Sequence, residues 1–116
     1  LRDAPYIALE QGTRMGTIVR RAFAQADVPF RFSVEVRYCN TACVLAESGV
    51  GVAVVDPLSP VFSGHYDLAI RPFAPASEVR ASAVRSRKRP ISRAADAFLR
   101  EVRLVAAETA AKLGSG

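Results

Sequence analysis

Four apolar residues, Tyr6-Ile7-Ala8-Leu9, stand together near the start of the chain and run directly into Glu10-Gln11-Gly12-Thr13. A short apolar run closed by a glycine-bearing turn predicts a buried strand. From there Met15, Ile18, Val19, Ala22, Phe23 and Ala26 recur at alternating steps of three and one, with Arg14, Arg20 and Arg21 off that stripe. The period predicts an amphipathic helix with Thr13 as its N-cap. Val28-Pro29 should end it, because proline disfavours helical backbone in the residue before it. Phe30, Phe32, Val34 and Val36 then alternate with Arg31, Ser33, Glu35 and Arg37, the period-two signature of a half-buried strand. Asn40 or Thr41 can cap a second, shorter helix through Ala42, Val44, Leu45 and Ala46 that stops at Gly49. Val50, Val52, Ala53, Val54 and Val55 form a nearly continuous apolar run, as expected of a strand covered on both faces.

Asp56-Pro57 ends that strand, and a short turn or helix over Leu58 to Phe62 leads into a loop at Ser63-Gly64-His65-Tyr66. Leu68-Ala69-Ile70 and Val79 to Val84 read as two further short strands, separated by the proline-bearing Pro72 to Pro75. From Ser92, the residues Ala95, Phe98, Leu99, Val102, Val105, Ala106 and Leu113 trace a long amphipathic helix ended by Gly114. Strand, helix, strand, helix, strand in this rhythm predicts right-handed crossovers. The expected fold class is therefore α/β, a parallel-dominated (mixed) sheet with helices on both faces.

Length changes the picture little: 116 residues can bury one core and leave no room for two ordinary domains. No apolar stretch approaches the roughly 20 residues of a membrane span, and no secretion signal is visible at the N-terminus. Charge raises one alternative. Sixteen basic residues against eleven acidic give +5, and fourteen of the sixteen are Arg. The single cluster, Arg85, Arg87, Lys88 and Arg89, reads either as a solvated linker or strand end or as a contact to a polyanion. Cys39 and Cys43 read as reduced thiols at a helix start, which suits a cytoplasmic protein; a redox sensor is the rarer alternative. With His65 they supply too few ligands for structural zinc.

In a parallel sheet all strands exit at one edge, where open α/β folds bind ligands. Gln11-Gly12-Thr13, Tyr38-Cys39-Asn40-Thr41 and Asp56-Pro57 should meet there. Two of these segments begin helices, whose free N–H groups and positive dipole ends favour a carboxylate or phosphate. Asp56 could hold an ammonium of the same guest, so an amino-acid-like zwitterion would satisfy both. The plainer readings make Thr13, Asn40 and Thr41 ordinary N-caps, Asp56 a turn starter and His65 a surface residue. Neither Ser48 nor Ser63 has a nucleophile-elbow setting, and Gly49-Val50-Gly51 lacks the spacing of a phosphate loop. No catalytic residue, cofactor or metal is expected, which disfavours a small flavodoxin-type enzyme.

The ordered set Pro5-Tyr6-Ile7-Ala8-Leu9, Arg20-Arg21-Ala22-Phe23, Val34-Glu35-Val36 and Cys43 through Pro57 resembles the effector-binding region of LysR-type transcriptional regulators. Leu68-Ala69-Ile70-Arg71-Pro72-Phe73 and Ile91 through Leu99 resemble that family's last strand region and closing helix. The resemblance implies a periplasmic-binding-protein type II-like lobe. Residues 1–90 would be the second lobe and residues 91–116 a C-terminal helix that returns to a first lobe not in this chain. It implies a small-molecule effector, amino-acid-like or another carboxylate, held in an inter-lobe cleft by Gln11, Gly12, Thr13, Asn40, Thr41 and Asp56. It further implies a homo-oligomer that reaches DNA only through an N-terminal domain absent here, with no membrane partner. A lobe of a periplasmic solute-binding protein shares the architecture and is the alternative. Asp27 stands where the family often has glycine, and some relatives sense peroxide through cysteines, although Cys39 and Cys43 sit too close together to presume that switch.

Overall fold

The computed structural model describes residues 4–62, 66–73 and 79–114, which form two compact units, Leu1–Val79 and Arg80–Gly116. In the first unit, β1 (Tyr6–Leu9) leads to α1 (Arg14–Gln25), β2 (Val34–Val36), α2 (Cys39–Glu47), β3 (Val52–Ala53) and the short α3 (Ser59–Phe62). The sheet has the order β2-β1-β3, and both pairings are parallel, with Ile7 opposite Val34 on one side and Ala53 on the other. The chain thus leaves β1 for one edge, then crosses back over it to the other. Two right-handed crossovers in opposite directions must lie on opposite faces of the sheet.

Core composition follows from that placement. Tyr6 and Ala8 pack with Val19 of α1, and Met15, Phe23, Phe30 and Val54 close around them. Ile7 and Leu9 point the other way and pack with Ala42 of α2, flanked by Val34, Val36, Leu45, Ala53 and Val55. All four β1 residues are buried, as a central strand between two helical layers requires. Gly16 brings α1 against the exit of β1 so closely that an added Cβ would lie 2.8 Å from the Leu9 carbonyl oxygen and closer still to that of Glu10. Arg20 ties the layers further. It donates to the Leu9 carbonyl at 2.8 Å and to the Glu35 carboxylate at 2.9 Å, and its guanidinium lies 4.5 Å from the centre of the Phe30 ring.

Helix ends agree with the local chemistry. Asp27 follows α1 with φ 54°, a left-handed turn that Asp tolerates better than most residues. Gly49 closes α2 at φ 84°, with its own N–H on Ala46 O and that of Val50 on Leu45 O, a Schellman arrangement.

Several expectations need correction. β2 begins at Val34 rather than Phe30, because Phe30 joins Tyr6 and Phe23 in an aromatic cluster with centroids 5.2–5.7 Å apart, and Phe32 stacks outside it at 5.8 Å from Phe30. β3 pairs over Val52–Ala53 only. The helix that Asn40 or Thr41 was expected to cap starts earlier: Tyr38 is the N-cap, without a side-chain hydrogen bond, and both residues lie inside the first turn. Leu68-Ala69-Ile70 and Val79 to Val84 take no strand conformation among the described residues. Ser63, Gly64 and His65 lie outside the described residues, as do residues 74–78.

In the second unit, α4 (Arg93–Gly114) follows the irregular residues 80–92, and the Ser92 hydroxyl accepts from Ala95 N at 3.1 Å as the predicted start implies. Phe98, Val102 and Val105 on the predicted stripe are exposed within the chain. No helix among the described residues is long and apolar enough to cross a membrane.

Candidate functional site

All three strands point the same way, so their C-terminal ends share one edge, and each is followed by a helix that starts there. β1 and β2 are neighbours whose following helices go to opposite faces. That divergence opens a crevice. A groove of about 580 Å³ occupies this edge, lined by Leu9, Thr13, Arg14 and Met15 from the first exit, Arg37, Tyr38, Cys39 and Asn40 from the second, and Asp56, Leu58 and Ser59 from the third.

Each wall is built by local hydrogen bonding. Thr13 is the N-cap of α1: its hydroxyl accepts from Gly16 N at 3.0 Å and donates to Glu10 O at 2.7 Å. The hydroxyl's proton is therefore committed, and the N–H groups of Arg14 and Met15, too early in the helix for internal partners, remain directed outward from its first turn. In α2, Thr41 N is taken by Asn40 Oδ1 at 2.9 Å. Arg37 reaches the Glu10 carboxylate at 3.4 Å across the rim. Among the described residues Arg14 has no ion pair.

Asp56 organises the third exit. Its Oδ1 accepts from Leu58 N and Ser59 N, both at 2.8 Å, and its Oδ2 accepts from the Ser59 hydroxyl at 2.5 Å. Burial works to raise its pKa, but the hydrogen bonds from Ser59, Cys39 and Leu58 outweigh that and hold the carboxyl below its ordinary value. Cys39, facing it, is pushed up to about 11, first by burial and further by donating its thiol hydrogen to the anionic Asp56, although the Asp56 backbone N–H works the other way. Cys43, buried in the core, is raised by burial and by the same negative charge. Both cysteines are free thiols. High pKa values keep such thiols protonated and unreactive at neutral pH.

This wiring predicts an acid-sensitive term in stability. Asp56 holds its proton less tightly folded than unfolded, so its contribution is full above the unfolded carboxylate value, around pH 4, and disappears as pH falls through the lower folded value. Asp56→Asn is expected to lose about 1–2 kcal/mol at pH 7 and to converge with the unsubstituted chain in acid. Urea midpoints between neutral and strongly acidic pH measure this, and two parallel curves would contradict it.

The LysR substrate binding domain family model matches residues 1–107. The chain belongs to that family. Over 93 residues it is 29% identical to the transcriptional activator protein LysR of Escherichia coli (strain K12), covering 80% of this chain and 30% of that protein. It therefore spans under a third of the length of the curated relative it matches. No solved structure matches. The family carries a periplasmic-binding-protein type II-like fold, and the parallel three-stranded sheet with a helix on each face is consistent with it.

In this LysR-family domain the residues singled out from sequence separate into two groups. Thr13, Asn40 and Asp56 line the groove. Gln11, Gly12 and Thr41 are exposed nearby and do not line it. Arg14 and Arg37, which do, were not singled out; both are strand- or helix-terminal arginines in a chain with many, and only the strand register brings them together. Leu58 and Ser59 were likewise missed, although Asp56-Pro57 already marked a turn whose first amides needed a cap.

Proposed function

We propose that this LysR-family domain senses a small carboxylate-bearing metabolite for a transcriptional regulator, and that the metabolite's anionic end sits in the groove between the β1 and β2 exits. The carrying observation is the convergence, at one rim, of the first turns of α1 and α2 with the guanidinium groups of Arg14 and Arg37. Open N–H groups, two helix dipoles and two cations all favour an anion. Asp56 lends the same groove a negative pole, since its lowered pKa keeps it ionised at neutral pH. A guest with both signs, such as an amino acid, therefore fits better than a simple anion. Donors from Leu58 and Ser59 and the Cys39 thiol already occupy the Asp56 oxygens, so its contribution to a guest's ammonium is mainly through its charge.

Residues 1–90 would serve as the second lobe and residues 91–116 as the helix leading back to a first lobe, with the guest held between lobes in the longer protein. Differential affinity for closed and open arrangements would then bias how subunits of an oligomer meet DNA. The family match favours this over a lobe of a periplasmic solute carrier.

A thermal-shift screen of amino acids, opines and aromatic acids tests the reading in the full-length protein. A ligand at a hundred times its Kd is expected to add about 2.7 kcal/mol of stability. Arg14→Ala and Asn40→Ala should each weaken that response at least about ten-fold in apparent affinity, the loss of one charge-assisted contact. A hit indifferent to both substitutions would remove this groove as the binding site.

A further inference from the structure

Charge divides unevenly between the two compact units. Residues 1–79 carry seven basic side chains and eight acidic ones, whereas residues 80–116 carry nine against three. The entire positive excess therefore belongs to the second unit. Within it, the stretch from Val79 to Ala95 contains no Asp or Glu, yet it holds Arg80, Arg85, Arg87, Lys88, Arg89 and Arg93. Residues 80–95 are exposed throughout, and residues 80–92 form neither helix nor strand. A bend at residues 87–89 is fixed by the Ser86 hydroxyl, which accepts from Lys88 N at 3.1 Å. Among the described residues none of Arg85, Arg87, Lys88, Arg89 and Arg93 makes an ion pair. The nearest carboxylate along the chain, Asp96, is already bound to Arg100 at 2.6 Å.

Five uncompensated cations within nine residues repel one another, and a partner with closely spaced anions relieves that repulsion. We propose that residues 85–93 form an arm that binds the phosphate backbone of double-stranded DNA without reading base sequence. Four of the five are Arg, whose planar fork matches phosphate oxygens better than an ammonium does. No aromatic residue lies in the arm, so the stacking platform of a single-strand binder is missing. An anionic membrane fits less well. An interfacial helix carries its cations along its own polar face, whereas α4 mixes four basic with three acidic residues and the cations gather ahead of it. The inference is independent of effector binding, because the groove and the arm belong to different units.

The test is fluorescence anisotropy of the 116-residue chain with a labelled duplex of about two helical turns, across roughly 50 to 200 mM salt. Five phosphate contacts predict a slope of log affinity against log salt of about −4.5. Replacing Arg85, Arg87 and Arg89 together by Ala should weaken binding at least about ten-fold at low salt and reduce the slope by about 2.7. The matched triple substitution of Arg21, Arg31 and Arg71, exposed arginines of the first unit, removes the same charge and should leave both unchanged. All six residues are exposed, so far-ultraviolet circular dichroism should show both variants folded. Equal losses in the two variants would assign binding to net charge rather than to the arm and overturn the proposal. So would no binding at low salt, or tighter binding to phosphatidylserine vesicles than to the duplex.

Discussion

Ile7→Ala is expected to destabilise the first compact unit by about 4 kcal/mol, near the upper end for an aliphatic side chain truncated in a core. Ile7 is fully buried in the middle strand of three, and its side chain meets Ala42 of α2 together with residues of β2 and β3. Few other groups can move into the space. Among the described residues the core of this unit has only eight buried apolar residues, four of them Ala or Cys, so the remaining packing cannot absorb the loss. Domains of this size are stable by about 5–15 kcal/mol, so the truncated chain should lie close to its unfolding midpoint. A fall in melting temperature of roughly 15 °C is the expected reading, and a fall under about 5 °C would mean that the two helical layers do not clamp β1 as described.

Gly16→Ala should cost about 3 kcal/mol, the upper part of the range for overpacking, because the new methyl group meets carbonyl groups rather than a side chain that can rotate away. In an exposed helix interior the same change would stabilise by up to about 1 kcal/mol, so even the sign is diagnostic. Relief requires α1 to lift off the end of β1, which would disturb the Thr13 cap and the Arg20 contact to Leu9 O. Equilibrium unfolding in urea gives the loss. A neutral or stabilising outcome would show that α1 does not sit on the β1 exit.

How far the chain's pattern reveals this arrangement depends on which force decides each element. The residues of β1 and α1 carry their own signals: four adjacent apolar residues, a stripe of period 3.6 and a capping threonine. Both appear where expected. The parallel order of the strands was legible too, since alternating strands and helices admit few other topologies. Phe30 and Phe32 show the limit. Alternation says which residues seek cover but not what covers them, and the edge of Tyr6 and Phe23 attracts Phe30 away from a ladder. β3 pairs with only Tyr6 and Ile7 of the four β1 residues, a limit its own valines do not encode. Asn40 and Thr41 both favour helix starts, yet the turn from β2 into α2 puts the N-cap at Tyr38, two residues before Asn40. The apolar runs at Leu68 and Val79 have strand composition, but composition without a neighbouring ladder does not make a strand. At the groove, Thr13, Asn40 and Asp56 could be singled out because caps and turn starters are local. Arg14 and Arg37 could not, because their proximity arises from the register between β1 and β2, in which Ile7 lies opposite Val34, strands distant in sequence but adjacent in space.

The wiring of the third exit also fixes what the groove's sulfur can report. With its pKa near 11, the Cys39 sulfur exists as thiolate in only roughly one molecule in ten thousand at pH 7. Alkylation by iodoacetamide should accordingly be sluggish while Asp56 holds the thiol hydrogen. Rapid labelling would signal that the first turn of α2 has parted from the Asp56 turn, making this cysteine an optical or mass-spectrometric gauge of groove opening.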